Sequence, residues 1–365
     1  MWHETKKILQ EHQNFILTTH VNPDGDGLGA ACALTEFLLQ RGKKVRFVCD
    51  SPLPRKFAFL DYHGLFEAYD PKGDYSQMEV LIALDAHKRE RLGALARFID
   101  IPGVVSLCID HHEIEIPCTT HCVMDPKACS AGAMIYSLLC ECDFQFNLEA
   151  ATGIYASVIC DTGRFCYSST SLQAHHIAEE CMKVGVDPDL MYARLFQHVS
   201  LAEARLFAHV LLAMETYHDD QVVIQQISSD DYAKMNINGV DLEHIDFEYI
   251  HDFNHMIEGV RCFVLLREID GGHVRVSLRS KRNLDMSSMV HQLGGGGHAN
   301  AAGILWRGSL LEIKQKILNL LDGLFENEKN RMVASEMYTE SDSKVSISSA
   351  PKPRGSNIAS GPILT

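Results

Sequence analysis

Asn14-Phe15-Ile16-Leu17-Thr18-Thr19-His20-Val21-Asn22-Pro23-Asp24-Gly25-Asp26 is the stretch on which the fold turns. Its first six residues make a short apolar run bounded by a turn, the pattern of a buried strand. Pro23-Asp24-Gly25 is turn chemistry, and a glycine-bearing helical pattern begins at Gly27. Open α/β sheets gather their ligands at the carboxyl ends of strands. One imidazole and two carboxylates at i, i+4 and i+6 on such a turn suit Mn²⁺, Mg²⁺, Fe²⁺ or Zn²⁺. The same residues admit a plainer reading, in which Asp26 caps the helix from Gly27 and His20 merely ends the strand.

Three later runs favour the metal. Residues 80–84 (VLIAL) end in Asp85, residues 104–109 (VVSLCI) end in Asp110-His111-His112, and residues 154–160 (IYASVIC) end in Asp161-Thr162-Gly163. A parallel sheet would carry all four strand ends to one edge. A single Asp after an apolar run is usually a cap or turn residue; four acids in register, one followed by paired histidines, read as a metal site.

In this arrangement the chain resembles the DHH phosphoesterases, named for the triplet standing here as Asp110-His111-His112. His20-x-Asn22-Pro23-Asp24-Gly25-Asp26 is similar to the family's first motif, Asp85 to the second and Asp161-Thr162-Gly163 to the fourth, in order. Gly294-Gly295-Gly296-Gly297-His298-Ala299-Asn300-Ala301-Ala302-Gly303 resembles the glycine signature of the DHH-associated C-terminal domain, with its companion strand at residues 274–280 (VRVSLRS). The chain departs from the family at Ala131 and Ala133, which follow Ser130 where Thr and Glu are common. Length and layout resemble the subgroup of short-oligonucleotide phosphodiesterases that also dephosphorylate 3′-phosphoadenosine 5′-phosphate.

The resemblance implies two divalent cations, Mn²⁺ first with Mg²⁺ and Fe²⁺ as alternatives. His20, Asp24 and Asp85 would hold one; Asp26, Asp85, His111 and Asp161 would hold the other, with Asp85 bridging. Asp110 would orient a histidine, leaving His112 to face the scissile phosphate as donor or general acid. In the C-terminal domain, Arg279 would grip a phosphate and Ser280 would add a hydroxyl donor. Gly295, Gly296 and Gly297 would offer backbone N–H groups, and His298 would meet the terminal nucleotide. His87 and Arg91, following Asp85 on one helical face, either brace the site or are solvated, the latter being favoured, and Arg275 and Arg282 read as solvated.

Organisation follows from the punctuation. Strands near residues 14–19, 44–49, 80–84 and 104–109 alternate with helices near 27–41, 88–98, 131–142 and 171–184, which predicts a doubly wound parallel sheet over residues 1–186. A helical linker is expected over 187–216 and a smaller α/β domain over 217–327, with the site in the cleft between the domains. From 328 to 365 the chain loses periodicity and gains Ser, Pro, Gly and Lys, the composition of a disordered tail.

Composition bounds the substrate. With 365 residues, 46% hydrophobic, the chain can bury two cores. A net charge of −15 leaves no basic field for long duplex nucleic acid. The expected partner is therefore short RNA or a small nucleotide, and the assembly considered is a homodimer. No run has the length of a membrane span, and residues 1–15 lack a signal-peptide core. The 12 cysteines are scattered, many in apolar runs, as reduced buried thiols would be, and the expected compartment is the cytoplasm. Cys118, His121 and Cys122 lack a second ligand pair at zinc-finger spacing. Neither a G-x-S-x-G elbow nor a P-loop occurs.

The leading expectation is a dimetal hydrolase that releases 5′-mononucleotides from very short RNA, or dephosphorylates 3′-phosphoadenosine 5′-phosphate. Hydrolysis of a linear or cyclic dinucleotide signal needs the same residues. A non-catalytic RNA-binding module is disfavoured because the full set of site side chains is present, and an inorganic pyrophosphatase would not need the glycine signature.

Overall fold

The computed structural model describes residues 1–112, 118–235, 245–269, 271–281, 284, 286–297 and 300–344. The chain divides into two compact units, Met1–His198 and Val199–Thr365.

In the first unit a helix α1 (His3–Glu11) precedes β1 (Asn14–Thr18), α2 (Gly25–Gln40), β2 (Lys44–Cys49), β3 (Phe66–Ala68), β4 (Val80–Leu84), β5 (Val105–Asp110) and β6 (His121–Met124). Four helices follow: α3 (Ala131–Glu141), α4 (Leu148–Asp161), α5 (Leu172–Val184) and α6 (Pro188–Phe196). The strands form one sheet in the order β3-β2-β1-β4-β5-β6, every pairing parallel. Alternate residues of β1 and β4 enter different cores, as the two-residue strand period requires. Phe15, Leu17, Val80, Ile82 and Leu84 pack with α2 to α5, whereas Ile16, Leu81 and Ala83 pack on Leu92, Leu95 and Phe98.

The chain runs outward one way from β1 through β2 to β3 and the other way from β4 through β5 to β6, so the strand order reverses between β1 and β4. Ligands of open α/β sheets collect at such a switch point. His20 follows β1 and Asp85 follows β4. The register places Leu84 beside Ile109, which brings Asp85 and the start of Asp110-His111-His112 to the same edge.

Three expectations change. Residues 154–160 are helix, not strand: Asn147 caps α4 by accepting the Ala150 N–H, and the run is buried on all sides, so its sequence shows no helical period. Gly29 of α2 and Gly153 of α4 let these helices touch, since a Cβ on Gly29 would lie 2.3 Å from the Gly153 carbonyl oxygen. The helix expected from Gly27 begins at Gly25 and is capped by Asp24, not Asp26; the Asp24 carboxylate accepts the N–H groups of Asp26 and Gly27. Residues 89–98 are 3₁₀ turns broken at Gly93, whose φ is 55°.

The second unit holds α7 (Leu201–Leu212), β7 (Glu215–Tyr217), β8 (Val222–Ile227), α8 (Ser229–Lys234), α9 (Glu248–Met256), β9 (Cys262–Ile269), β10 (His273–Ser280), α10 (Ser287–Gln292), β11 (Gly296–Gly297), β12 (Ala301–Arg307) and α11 (Leu310–Lys344). Its sheet runs β11-β12-β10-β9-β8-β7, with β8 and β9 parallel and the other pairs antiparallel. Val274, Val276 and Leu278 pack on Ile313, Ile317 and Leu321 of α11. The stretch expected as one helical linker is two helices, because Ser200 starts α7 with a capping box to Glu203. The last helix runs to Lys344, past residue 327 where disorder was expected; residues 326–344 lose apolar periodicity but hold four Glu, two Met and two Lys, which favour helix. Residues 345–365 lie outside the described residues.

Candidate metal centre

The first group of ligands forms where β1 and β4 end. His20 Nδ1 lies 2.8 Å from the Val21 carbonyl oxygen, which can only accept, so Nδ1 carries the proton and Nε2 is turned to the site. There Nε2 meets Asp24 Oδ2 at 3.5 Å and Asp85 Oδ2 at 3.3 Å. Asp24 serves twice, capping α2 with Oδ1 and facing His20 with Oδ2. Asp85 adopts φ 56°, a left-handed conformation that costs a non-glycine residue free energy and is found where the surroundings hold it. Its N–H donates to the Ile109 carbonyl at 3.0 Å.

The second group joins Asp26, His111 and Asp161. His111 Nε2 lies 3.3 Å from Asp26 Oδ2, 3.7 Å from Asp161 Oδ2 and 3.7 Å from Asp85 Oδ1. Buried in the first turn of α2, Asp26 accepts the N–H of Ala131 at 2.8 Å, the N–H of Gly132 at 3.1 Å and the Ser157 hydroxyl. Ala131 and Ala133, where the chain departs from the family pattern, act through backbone: Ala131 N–H reaches Asp26 and Ala133 N–H reaches the Ser130 hydroxyl at 3.0 Å.

Asp110, fully buried, ties the third group together. Its Oδ1 accepts from His112 Nδ1 at 2.6 Å and from the His112 N–H at 3.0 Å. Its Oδ2 accepts from His87 Nδ1 at 2.7 Å and from the His87 N–H at 2.8 Å. His112 Nδ1 also lies 3.3 Å from Asp85 Oδ1. His87, expected as solvated, is 3% exposed; Arg91, likewise expected as solvated, lies with Nη1 3.4 Å from His112 Nε2. The contacts to Asp110 and His112 span 23 and 21 residues, which local spacing cannot reveal. The one available signal is the β4–β5 register.

Charge explains how this cluster survives burial. Burial opposes a charge on His20, yet the nearby carboxylates of Asp24 and Asp85 raise it to about 10. His111 rises against burial to about 9 through Asp26, and His112 to about 10 through Asp110 and Asp85. Asp85 falls well below the usual carboxylate range because His112 and His20 outweigh its burial. Asp110 likewise falls to about 2. Burial and then Asp85 raise Asp26; burial and then Asp26 raise Asp161 to about 8. Protons on imidazole thus stand where positive charge is required.

These residues fit cations. Ligand atoms of His20, Asp24 and Asp85 lie within 4.8 Å of one another, as do those of Asp26, His111 and Asp161, and those of Asp85, Asp110, His111 and His112. His20 Nε2, Asp85 Oδ1 and His111 Nε2 are buried without a hydrogen-bond partner among the described residues, a costly state for polar atoms unless something else binds them. Cys118, His121 and Cys122 form no such group among the described residues.

In the second unit, Arg279 Nη2 meets Glu248 Oε1 at 2.5 Å and Nη1 donates to the Leu278 carbonyl at 3.1 Å. Ser280 donates its hydroxyl to the Leu284 carbonyl at 2.6 Å and accepts from Asn300 Nδ2 at 2.9 Å. It therefore ties two loops together, and serving a phosphate as donor would require it to release Leu284. Gly295 permits close approach, since a Cβ there would lie 2.4 Å from the Gly303 carbonyl oxygen, whereas Gly296 faces open space; Gly296 and Gly297 pair with β12. Arg275 is exposed, as expected. His298 and Arg282 lie outside the described residues.

Comparison with known proteins matches the DHH family, N-terminal domain, over residues 14–160 and the DHHA1 domain over residues 250–327. The chain therefore carries a DHH-family N-terminal domain and a DHHA1 domain. It is 28% identical to the bifunctional oligoribonuclease and PAP phosphatase NrnA of Thermus thermophilus, covering 85% of this chain and 89% of that protein. It is 26% identical to the Bacillus subtilis protein of the same name, covering 82% and 91%. The cyclic-di-AMP phosphodiesterase GdpP of B. subtilis is 25% identical over 90% of this chain but half of its own length. The fold is that of an exopolyphosphatase-related protein from Bacteroides fragilis, with a TM-score of 0.81 at 22% identity over 90% of this chain and 96% of that one. The chain is a hydrolase acting on phosphoester bonds. No helix among its described residues is long and apolar enough to cross a membrane.

Proposed function

We propose that the protein cleaves short oligoribonucleotides to 5′-mononucleotides and removes a phosphate from 3′-phosphoadenosine 5′-phosphate, using two divalent cations, Mn²⁺ foremost. The observation that carries this reading is the set of buried, partnerless ligand atoms on His20, Asp85 and His111, grouped with Asp24, Asp26 and Asp161. The names of the relatives quoted above, which match most of this chain, support the substrates.

His20, Asp24 and Asp85 would hold one cation, and Asp26, Asp85, His111 and Asp161 the other. When bound, such a pair lowers the pKa of water and stabilises charge on the attacking and leaving oxygens of a phosphoester. The chain supplies the rest. Asp110 holds the His112 ring by Nδ1, so Nε2 is the atom placed to donate a proton or hydrogen bond to the phosphate or its leaving oxygen. Arg91, beside that atom, brings a permanent positive charge to the same place. Arg279 grips a phosphate away from the reacting bond, exchanging Glu248 for it; Gly295, Gly296, Gly297 and His298 complete that grip. Ser280 contributes by holding Leu284 and Asn300.

Among the described cysteines none is paired in a disulfide, which supports action in a reducing compartment such as the cytoplasm. One panel tests the proposal: RNAs of two to five nucleotides, the bisphosphate nucleotide, and linear and cyclic dinucleotides, each with Mn²⁺ and Mg²⁺. Turnover of short RNA and bisphosphate above the dinucleotides is expected. Preference for cyclic dinucleotides would move the function to the activity named for the GdpP relative, and no hydrolysis of any member would overturn it.

A further inference from the structure

We infer that His87 is a positioning residue for the phosphoester hydrolysis, acting through Asp110 on His112. A carboxylate turns readily about its Cβ–Cγ bond, because that torsion is broad and nearly two-fold. Held at one oxygen, Asp110 would leave His112 free to follow its rotation. Here it is held at both. His112 donates N–H and Nδ1–H to Oδ1, and His87 donates N–H and Nδ1–H to Oδ2, so each oxygen has two donors and the pattern is symmetric about the carboxylate. Both donors on Oδ2 come from one residue, two positions beyond Asp85, which ties the β4 end that carries Asp85 to the β5 end that carries Asp110. The His87 ring thereby fixes the plane of Asp110, the Asp110 plane fixes the His112 tautomer, and His112 Nε2 is left beside Arg91 as the atom that meets the substrate.

The two histidines differ in where they face. His112 is partly exposed and lies 3.3 Å from Asp85 Oδ1, whereas His87 is buried and its Nε2 has no hydrogen-bond partner among the described residues. His87 therefore has no contact with substrate to offer, and its effect passes through the Nδ1–H alone. That makes a sharp distinction between two amides. Asn at position 87 places an N–H where Nδ1 stands and keeps the bond to Asp110; Gln places its amide where Nε2 stands and loses that bond.

The inference rests on the proposed role of His112, so the assay uses bis(p-nitrophenyl) phosphate, a generic diester whose hydrolysis does not depend on the RNA or bisphosphate assignment. H87N, H87Q and H87L are compared with the parent for kcat, KM, metal content by equilibrium dialysis, and the proton resonance of the His112 Nδ1–H. H87Q and H87L should lose about 10- to 100-fold in kcat, the usual effect of removing a group that orients a catalytic ligand, with KM and metal content unchanged and the His112 resonance shifted. H87N should stay within about threefold of the parent with that resonance in place. If H87L does not fold, the contrast between H87N and H87Q decides. Equal losses in H87N and H87Q, parent-like turnover in H87Q, or a loss carried by KM or metal content would each overturn the inference. Absence of turnover in the parent would instead strike at the proposed function.

Discussion

Replacing Asp85 by Asn is the most direct test of the bridging role. Asn suits the backbone, since it tolerates the left-handed conformation better than most residues and Asp85 sits at φ 56°. The substitution therefore changes charge with little change of shape. Asp85 Oδ2 lies 3.3 Å from His20 Nε2, while Oδ1 lies 3.7 Å from His111 Nε2 and is buried without a hydrogen-bond partner among the described residues. One oxygen faces each ligand group, so the amide removes a negative donor from both at once. If each loss costs about 30-fold, within the range for groups that tune a metal, the product is about a thousandfold in turnover, about 4 kcal/mol of transition-state stabilisation. The assay is kcat on a three-nucleotide RNA with Mn²⁺ held in excess, paired with metal content by equilibrium dialysis. Two metals bound at parental affinity, with turnover within about tenfold of the parent, would refute the bridge.

Metal binding should also release protons. His20 holds its proton up to about 10, His111 up to about 9 and Asp161 up to about 8, and a cation competes with those protons for the same lone pairs. Affinity should rise as pH goes from 6 to 9, and titration calorimetry in two buffers of different ionisation enthalpy should show net release; no dependence on buffer would count against the ligand set. Arg279→Ala should lower kcat/KM on short RNA by about ten- to several-hundredfold through loss of a charge-assisted phosphate contact, yet spare bis(p-nitrophenyl) phosphate; equal losses on both would place Arg279 at the reacting phosphate instead. Chelation should abolish hydrolysis, with Mn²⁺ restoring it better than Ca²⁺, whose preference is for six to eight oxygens; full activity after exhaustive metal removal would end the two-metal reading.

The sheet edge was legible because buried parallel strands have a plain signature, apolar runs that stop abruptly at an acid or imidazole. Residues 14–18, 80–84 and 105–110 are of this kind, and the switch between β1 and β4 follows once the strands are taken as parallel. Asp161, expected beside the other acids, groups with Asp26 and His111 although its element was misread. A helix buried on every side carries the same continuous apolar run as a buried strand, and only the Asn147 cap and the facing glycines at 29 and 153 distinguish it.

What sequence could not show is partnership across distance, and this decides how the site works. An Asp followed two residues later by His looks like a solvated turn, since nothing near His87 in the chain needs it. The β4–β5 register, in which Leu84 stands beside Ile109, puts Asp85 beside Asp110 one step further on, and the chain after Asp85 then returns His87 to the Asp110 carboxylate. The same limit applied to Arg279, readable as a phosphate grip but not as the partner of Glu248, 31 residues away. A half-exposed ion pair of this kind stabilises the fold by about 1 kcal/mol or less, whereas an arginine exchanging a carboxylate for a doubly charged terminal phosphate keeps its hydrogen bonds and gains charge. Glu248 thus holds the guanidinium in a usable place at small cost, and the exchange favours ligands that carry a terminal phosphate over those that do not.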